Sequence, residues 1–173
     1  MAAHEQDVGI TFREAIAEVE LGLVTSEQLP DIATTGLLEG YESESLAALA
    51  GELAEHFDPV AVERLWAGAL QELHIVPLQP AAAGRVLVRA YARLAVEGEL
   101  PPQLAASKIA GVHHIVMHPG CDASGTGDCI DAAGVIRLFY ASHTRGYGNR
   151  LDHQRTDTAI LHECRRIVES APR

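Results

Sequence analysis

The chain has 173 residues, of which 47% are hydrophobic and 5% aromatic, and its formal net charge at pH 7 is −11. The hydrophobic fraction excludes an intrinsically disordered protein, and the negative charge argues against binding to nucleic acid phosphates or to anionic lipid. Alanine and leucine supply most of the apolar residues, which favours helices over strands.

The negative charge is concentrated at the start of the sequence. Residues 1–57 contain twelve acids and one base, whereas residues 58–173 contain twelve of each. A surface of this kind attracts a basic protein and speeds the encounter with it. Acids on solvated helix faces also keep a protein soluble without binding anything, so both interpretations stay open. If a basic partner binds, we expect it to contact six glutamates, Glu14, Glu18, Glu42, Glu44, Glu52 and Glu55.

Capping residues and helical spacing predict the first two helices. Thr11 and Glu14 have the three-residue separation of a capping box, and the apolar stripe that follows them extends to Leu23. A second helix begins shortly afterwards. Its apolar stripe extends to Leu37, so both leucines are expected on buried faces.

Ser43 and Asp58 are the predicted caps of the third and fourth helices. Pro59 follows Asp58 at the first helical position, where its missing N–H is harmless. We expect residues 119–128 to form a polar loop and residues 144–153 a turn or loop. Four further helices are predicted over residues 81–98, 101–117, 129–143 and 155–170.

The sequence therefore predicts an all-α fold. No segment shows sustained alternation of apolar and polar residues with the β-branched and aromatic content of a strand. We expect a single-domain bundle over residues 1–173, with seven to eight helices and short loops that make neighbouring helices mostly antiparallel. Residues 1–10 are expected to be disordered.

The first half of the chain resembles small all-helical proteins encoded in high-GC actinobacteria. The matching elements are Gly22, Leu29–Ala33, Gly40 and Ser43–Gly51, and the resemblance covers mainly residues 11–57. One lysine against twelve arginines also fits a high-GC genome. The resemblance implies a helical scaffold and a source, and it implies no activity.

A second candidate site lies in the stretch HHIVMHPGCDASGTGDC, residues 113–129. His114 and His118 would be one turn apart on one face of a helix, and such a pair can hold zinc. Cys121 and Cys129 would complete four tetrahedral ligands, although the spacing matches no standard zinc motif.

Two other interpretations of this stretch stay open. Histidines at the carboxyl end of a helix interact favourably with its dipole, and the following Pro119 and Gly120 end a helix in the usual order. A single disulfide between Cys121 and Cys129 is the other alternative, although a reducing cytoplasm disfavours it. The third cysteine, Cys164, is expected to be a small core residue.

The sequence favours a non-enzymatic, cytoplasmic protein-interaction module without a cofactor. The start of the chain lacks a basic segment followed by an apolar one, and no catalytic motif is present. One concrete form is an immunity-type protein whose acidic helices cover a basic toxin, and the composition is compatible with a homo-dimer. The alternative is a zinc protein or metal-dependent enzyme that uses the histidine and cysteine cluster.

Overall fold

The computed structural model describes residues 9–52, 58–116, 132–144 and 150–170, with side chains described for all of these except 143–144 and 150–152. Within these ranges all regular structure is helical, which confirms the all-α prediction. No helix in the described ranges is long and apolar enough to cross a bilayer. The helices are α1 (Phe12–Glu20), α2 (Leu29–Leu38), α3 (Glu44–Ala50), α4 (Pro59–Glu72), α5 (Pro80–Glu97), α6 (Pro102–Val116), α7 (Ala133–Thr144) and α8 (Arg150–Glu169).

The chain divides into two compact units. The amino-terminal unit is Ile10–Ala83, and the carboxy-terminal unit comprises Met1–Gly9 together with Gly84–Arg173. The boundary falls in the first turn of α5. The expectation that residues 1–173 form one domain stays a prediction.

The predicted helix starts in the amino-terminal unit are confirmed. Thr11 and Glu14 form the capping box of α1, in which the Glu14 carboxylate accepts the Thr11 N–H at 2.9 Å. The Ser43 hydroxyl caps α3 by accepting the Leu46 N–H at 3.1 Å, and Asp58 caps α4. Each cap satisfies an N–H that has no partner within its helix, which fixes where the helix begins.

The core of the amino-terminal unit is built around Phe12. Its side chain is fully buried, and its ring centroid lies 4.8 Å from that of Tyr41 and 6.0 Å from that of Trp66. A Cβ added to Gly36 would lie only 2.8–3.0 Å from three ring atoms of Phe12, so the absence of a side chain there lets α1 and α2 approach closely. The other buried members of this core are Ile16, Leu29, Ala33, Leu46, Leu49, Val62, Trp66, Ala69 and Leu70.

Two leucines predicted on buried faces are exposed instead. Leu23 is 41% exposed because α1 ends at Glu20 and Gly22, at φ +66°, turns the chain away from the core. Leu37 is 36% exposed because Gly36, rather than its neighbour, occupies the inner position of α2 against Phe12. Helical spacing thus located both helices correctly, but Leu23 lies beyond the end of α1 and Leu37 faces away from the core.

The carboxy-terminal unit contains α6, α7, α8 and most of α5. Its largest fully buried side chain is Tyr91, and the Lys108 ammonium lies 5.3 Å from the centre of that ring. Gln103 in α6 donates to the Asp157 carboxylate in α8 at 3.0 Å. Further buried residues of this unit are Leu87, Val88, Leu94, Leu100, Ile109, Val112 and Ile160.

Helix boundaries in this unit differ from the predicted ones. α8 begins at Arg150, five residues before the predicted start, so the predicted loop over 144–153 is wrong for its last four residues. The five added residues, 150–154, contain no glycine or proline, and the helix extends through them. α7 begins at Ala133, later than predicted. The polar loop predicted over 119–128 lies outside the described residues, and so do residues 1–8 of the segment predicted to be disordered.

We predict opposite effects on stability for alanine at two helical glycines. Gly36→Ala should destabilise the protein by about 1–2 kcal/mol, because its methyl group overlaps a Phe12 ring held by Tyr41 and Trp66, which outweighs the helix propensity of alanine. Gly111→Ala should stabilise it by about 0.5–1 kcal/mol, since an added Cβ in this exposed turn of α6 has no neighbour within 4 Å. Thermal unfolding followed by circular dichroism checks both, and equal shifts would contradict the close packing of α1 and α2.

Candidate partner-binding surface

The net charge of the chain lies in the amino-terminal unit. Ile10–Ala83 contains thirteen acids and two bases, Arg13 and Arg64, which gives −11, while the remaining residues sum to zero. The two units therefore differ sharply in their electrostatic character, and attraction of a basic molecule is a property of the amino-terminal unit.

The six glutamates predicted to contact a partner do not have equivalent environments. Glu42 and Glu44 are exposed and lie at the start of α3. Glu14 and Glu18 lie one turn apart in α1 and are partly buried, and the Glu14 carboxylate is engaged in its capping box. Glu52, just after α3, is also partly buried, and Glu55 lies outside the described residues. Of the six, Glu42 and Glu44 are thus the two that are both described and exposed.

Two carboxylates of this unit bind the start of a helix that is distant in the sequence. The sequence did not indicate these two contacts. The Glu39 carboxylate, at the end of α2, accepts the N–H of Phe12 at 2.8 Å, which ties the start of α1 to the end of α2. The Glu72 carboxylate, at the end of α4, accepts the Ser45 N–H at 3.1 Å in the first turn of α3. A negative charge at these positions is stabilised by the free N–H groups and by the positive end of the helix dipole.

Glu72 has the most strongly bound carboxylate of the unit. It also accepts the hydroxyls of Ser45 and Ser43, the latter at 2.7 Å. These hydrogen bonds, led by the one from the Ser45 hydroxyl, lower the pKa of Glu72 to about 2. A Cβ at Gly68 would lie 2.8 Å from the Ser45 hydroxyl oxygen, so this glycine in α4 makes room for the serine. The hydrogen bonds from Ser43 and Ser45 to Glu72 hold the start of α3 against the end of α4. We call these three residues the Glu72 clamp.

Four described acids of the unit bind no helix start through a hydrogen bond, although Glu27, Asp31 and Glu44 lie in the first turn of a helix, where the dipole stabilises a negative charge. Glu27, Asp31, Glu42 and Glu44 are exposed, and within the described ranges their carboxylates make no hydrogen bond or ion pair. Leu38, between the two pairs in the sequence, is 84% exposed. Exposed acids and an exposed apolar side chain are features that another molecule can contact.

The proposed metal ligands are placed only in part. His114 lies in the last turn of α6 and is exposed. His118, Cys121 and Cys129 lie outside the described residues. Within the described ranges, no three or more histidine, cysteine or acidic side chains are grouped so that they could hold a metal ion. The zinc site therefore stays a prediction.

Cys164 occupies the core, as the sequence predicts. It lies in α8 and is fully buried. Its neighbour Ile160 is also fully buried, and Ile167 is almost completely buried. Burial, reinforced by the charge of Glu163, raises the pKa of the Cys164 thiol to about 11. A thiol with this pKa stays protonated at neutral pH and is a poor nucleophile and metal ligand.

No protein-family model, curated protein or solved structure matches the chain significantly. The resemblance to small helical proteins of high-GC actinobacteria stays a prediction.

We predict that the Glu72 clamp makes stability depend on pH in the acid range. Because the folded-state pKa is below the ordinary value of 4.5, the stabilisation is complete above pH 4.5 and disappears as the pH falls towards about 2. Glu72→Ala should melt at a lower temperature than the native protein at pH 7, and the gap should close near pH 2.

The matched control is Glu44→Ala, which removes a neighbouring exposed carboxylate that makes no such bonds. Its melting temperature should stay close to that of the native protein at both pH values. A pH-independent gap for Glu72→Ala would show that the clamp does not act through the charge of its carboxylate.

Proposed function

We propose that the chain is a protein-interaction module whose amino-terminal unit binds a basic protein. The observation that carries this proposal is the confinement of the whole net charge of −11 to Ile10–Ala83, a unit with only two bases. Such a field accelerates association with a cationic partner and disfavours anionic ones, including nucleic acids.

The distribution of carboxylates supports this function over simple solubility. Glu14, Glu39 and Glu72 bind helix starts, so their charges are explained by folding. Glu27, Asp31, Glu42 and Glu44 make no such hydrogen bond, and they lie before and after the exposed Leu38 in the sequence. In its most concrete form the module is an immunity-type protein that covers a basic toxin in the cytoplasm.

We predict that binding depends on Glu42 and Glu44. The immobilised full chain should capture, from a lysate of its native host, proteins of high isoelectric point that elute as the salt concentration rises. Glu42→Gln combined with Glu44→Gln should weaken binding of the purified captured protein roughly fivefold, since each exposed charge contributes roughly 0.2–1 kcal/mol.

The control removes the same number of charges elsewhere. Glu99→Gln combined with Glu169→Gln changes two exposed acids of the carboxy-terminal unit and should leave binding unchanged. Capture of acidic proteins only, or equal losses from both double variants, would contradict a binding role for the amino-terminal unit.

A zinc-binding function is a second proposal, with His114, His118, Cys121 and Cys129 as ligands. The exposure of His114 in the last turn of α6 supports it, because an exposed imidazole can reach a metal ion and the other three residues follow within the next fifteen positions of the sequence. Thiolate and imidazole ligands suit zinc, which would be structural if all four positions were filled by protein.

We predict that untagged protein, if it holds this site, contains about one zinc per chain. Elemental analysis of the purified protein measures this, and a chelator should lower the melting temperature because structural metal binding contributes to folding. Cys121→Ser combined with Cys129→Ser should abolish the metal, whereas Cys164→Ser should leave the metal content unchanged. Metal-free protein with unchanged stability in chelator would refute the proposal.

A further inference from the structure

The outer face of α2 is unusually apolar for so acidic a unit. Pro30, Thr34 and Leu38 follow one another at four-residue intervals and therefore share a face. Thr34 and Leu38 are exposed, and the adjacent Leu37 is 36% exposed. α2 contains a single charged residue, Asp31. We call the surface formed by Pro30, Thr34, Leu37 and Leu38 the α2 face.

The hydroxyl groups near this face are already bonded. The Thr34 hydroxyl donates to the Pro30 carbonyl at 3.0 Å, and the Thr35 hydroxyl donates to the Asp31 carbonyl at 3.2 Å. Both bonds lie within α2, so these donors are not available to another molecule. The α2 face consequently presents methyl and methylene groups to its surroundings.

Exposed acids lie before and after the α2 face in the sequence. Glu27 and Asp31 are exposed at the amino end of α2, and Glu42 and Glu44 are exposed just beyond its carboxyl end. The last turn of α2 contains no basic residue, so the negative end of its dipole is not neutralised from within the helix. Negative charge therefore lies on both sides of the α2 face along the chain, and it attracts cations.

We propose that the α2 face is the docking site for an amphipathic helix of the basic partner, with apolar side chains at its centre and lysine or arginine at each end. The ten residues of α2 span about 15 Å, so the bases of the partner should lie about ten residues apart. The apolar residues of the partner would cover Thr34, Leu37 and Leu38 in the carboxyl half of α2, and the flanking bases would approach the two acid pairs. This assignment rests on the proposed function and specifies where on the amino-terminal unit the partner binds.

The test uses two synthetic peptides with the full chain. One is a helical peptide of leucine and lysine with its lysines about ten residues apart around a leucine face, and the other is an oligolysine of equal charge. Titration calorimetry measures affinity, and methyl NMR reports which leucines shift. We expect the leucine–lysine peptide to bind at least about tenfold more tightly than oligolysine and to shift the methyl signals of Leu37 and Leu38.

Leu38→Ser is the decisive variant, and Val60→Ser is its control. Both side chains are highly exposed, at 84% and 74%, and both belong to the amino-terminal unit. Leu38→Ser should lower the affinity for the leucine–lysine peptide about tenfold, which is the loss expected when a leucine buried by binding is removed. It should leave oligolysine binding unchanged, and Val60→Ser should affect neither peptide.

The outcomes separate this inference from the proposed function. If Leu38→Ser has no effect, or if Val60→Ser causes the same loss, the α2 face is not the docking site. If oligolysine binds as tightly as the leucine–lysine peptide, the acids alone bind cations; the docking site is then refuted and the proposed function survives. If neither peptide binds the native chain, both are refuted.

Discussion

The packing of Phe12 beneath Gly36 is the constraint on which the amino-terminal unit depends. It brings α1 against α2, and the hydrogen bond from the Phe12 N–H to Glu39 holds the same pair of helices together three residues further along, at the carboxyl end of α2. The aromatic contacts with Tyr41 and Trp66 extend this arrangement to the segment after α2 and to α4. One buried ring thereby sets the relative placement of three helices.

That constraint also decides which side of α2 faces outward. Because Gly36 must meet the Phe12 ring, the two residues after it rotate away from the core, and Leu37 and Leu38 become exposed. An apolar stripe that sequence periodicity assigns to the interior is divided between core and surface. The exposed leucines are then a consequence of close helix packing, and the proposed docking face depends on a glycine that contacts no partner itself.

The carboxylates of this unit have two physical roles. Those of Glu39 and Glu72 neutralise free N–H groups at helix starts, and the low pKa of Glu72 reflects how many donors surround it. Those of Glu42 and Glu44 are exposed and make no hydrogen bond to a helix start, and their charges contribute to long-range attraction. Composition gives the total charge, but only the hydrogen bonds separate these roles.

The sequence by itself determined the all-helical class, the caps at Thr11, Ser43 and Asp58, and the core position of Cys164, because each depends on local spacing or on intrinsic propensity. It also located the charge. The tertiary structure alone decided that Glu39 binds Phe12 and that Glu72 binds Ser45, since each pair is separated by 27 residues and no local pattern joins them. The exposure of Leu37 likewise required the structure, because the direction in which a helix presents its apolar residues depends on where its neighbours approach most closely.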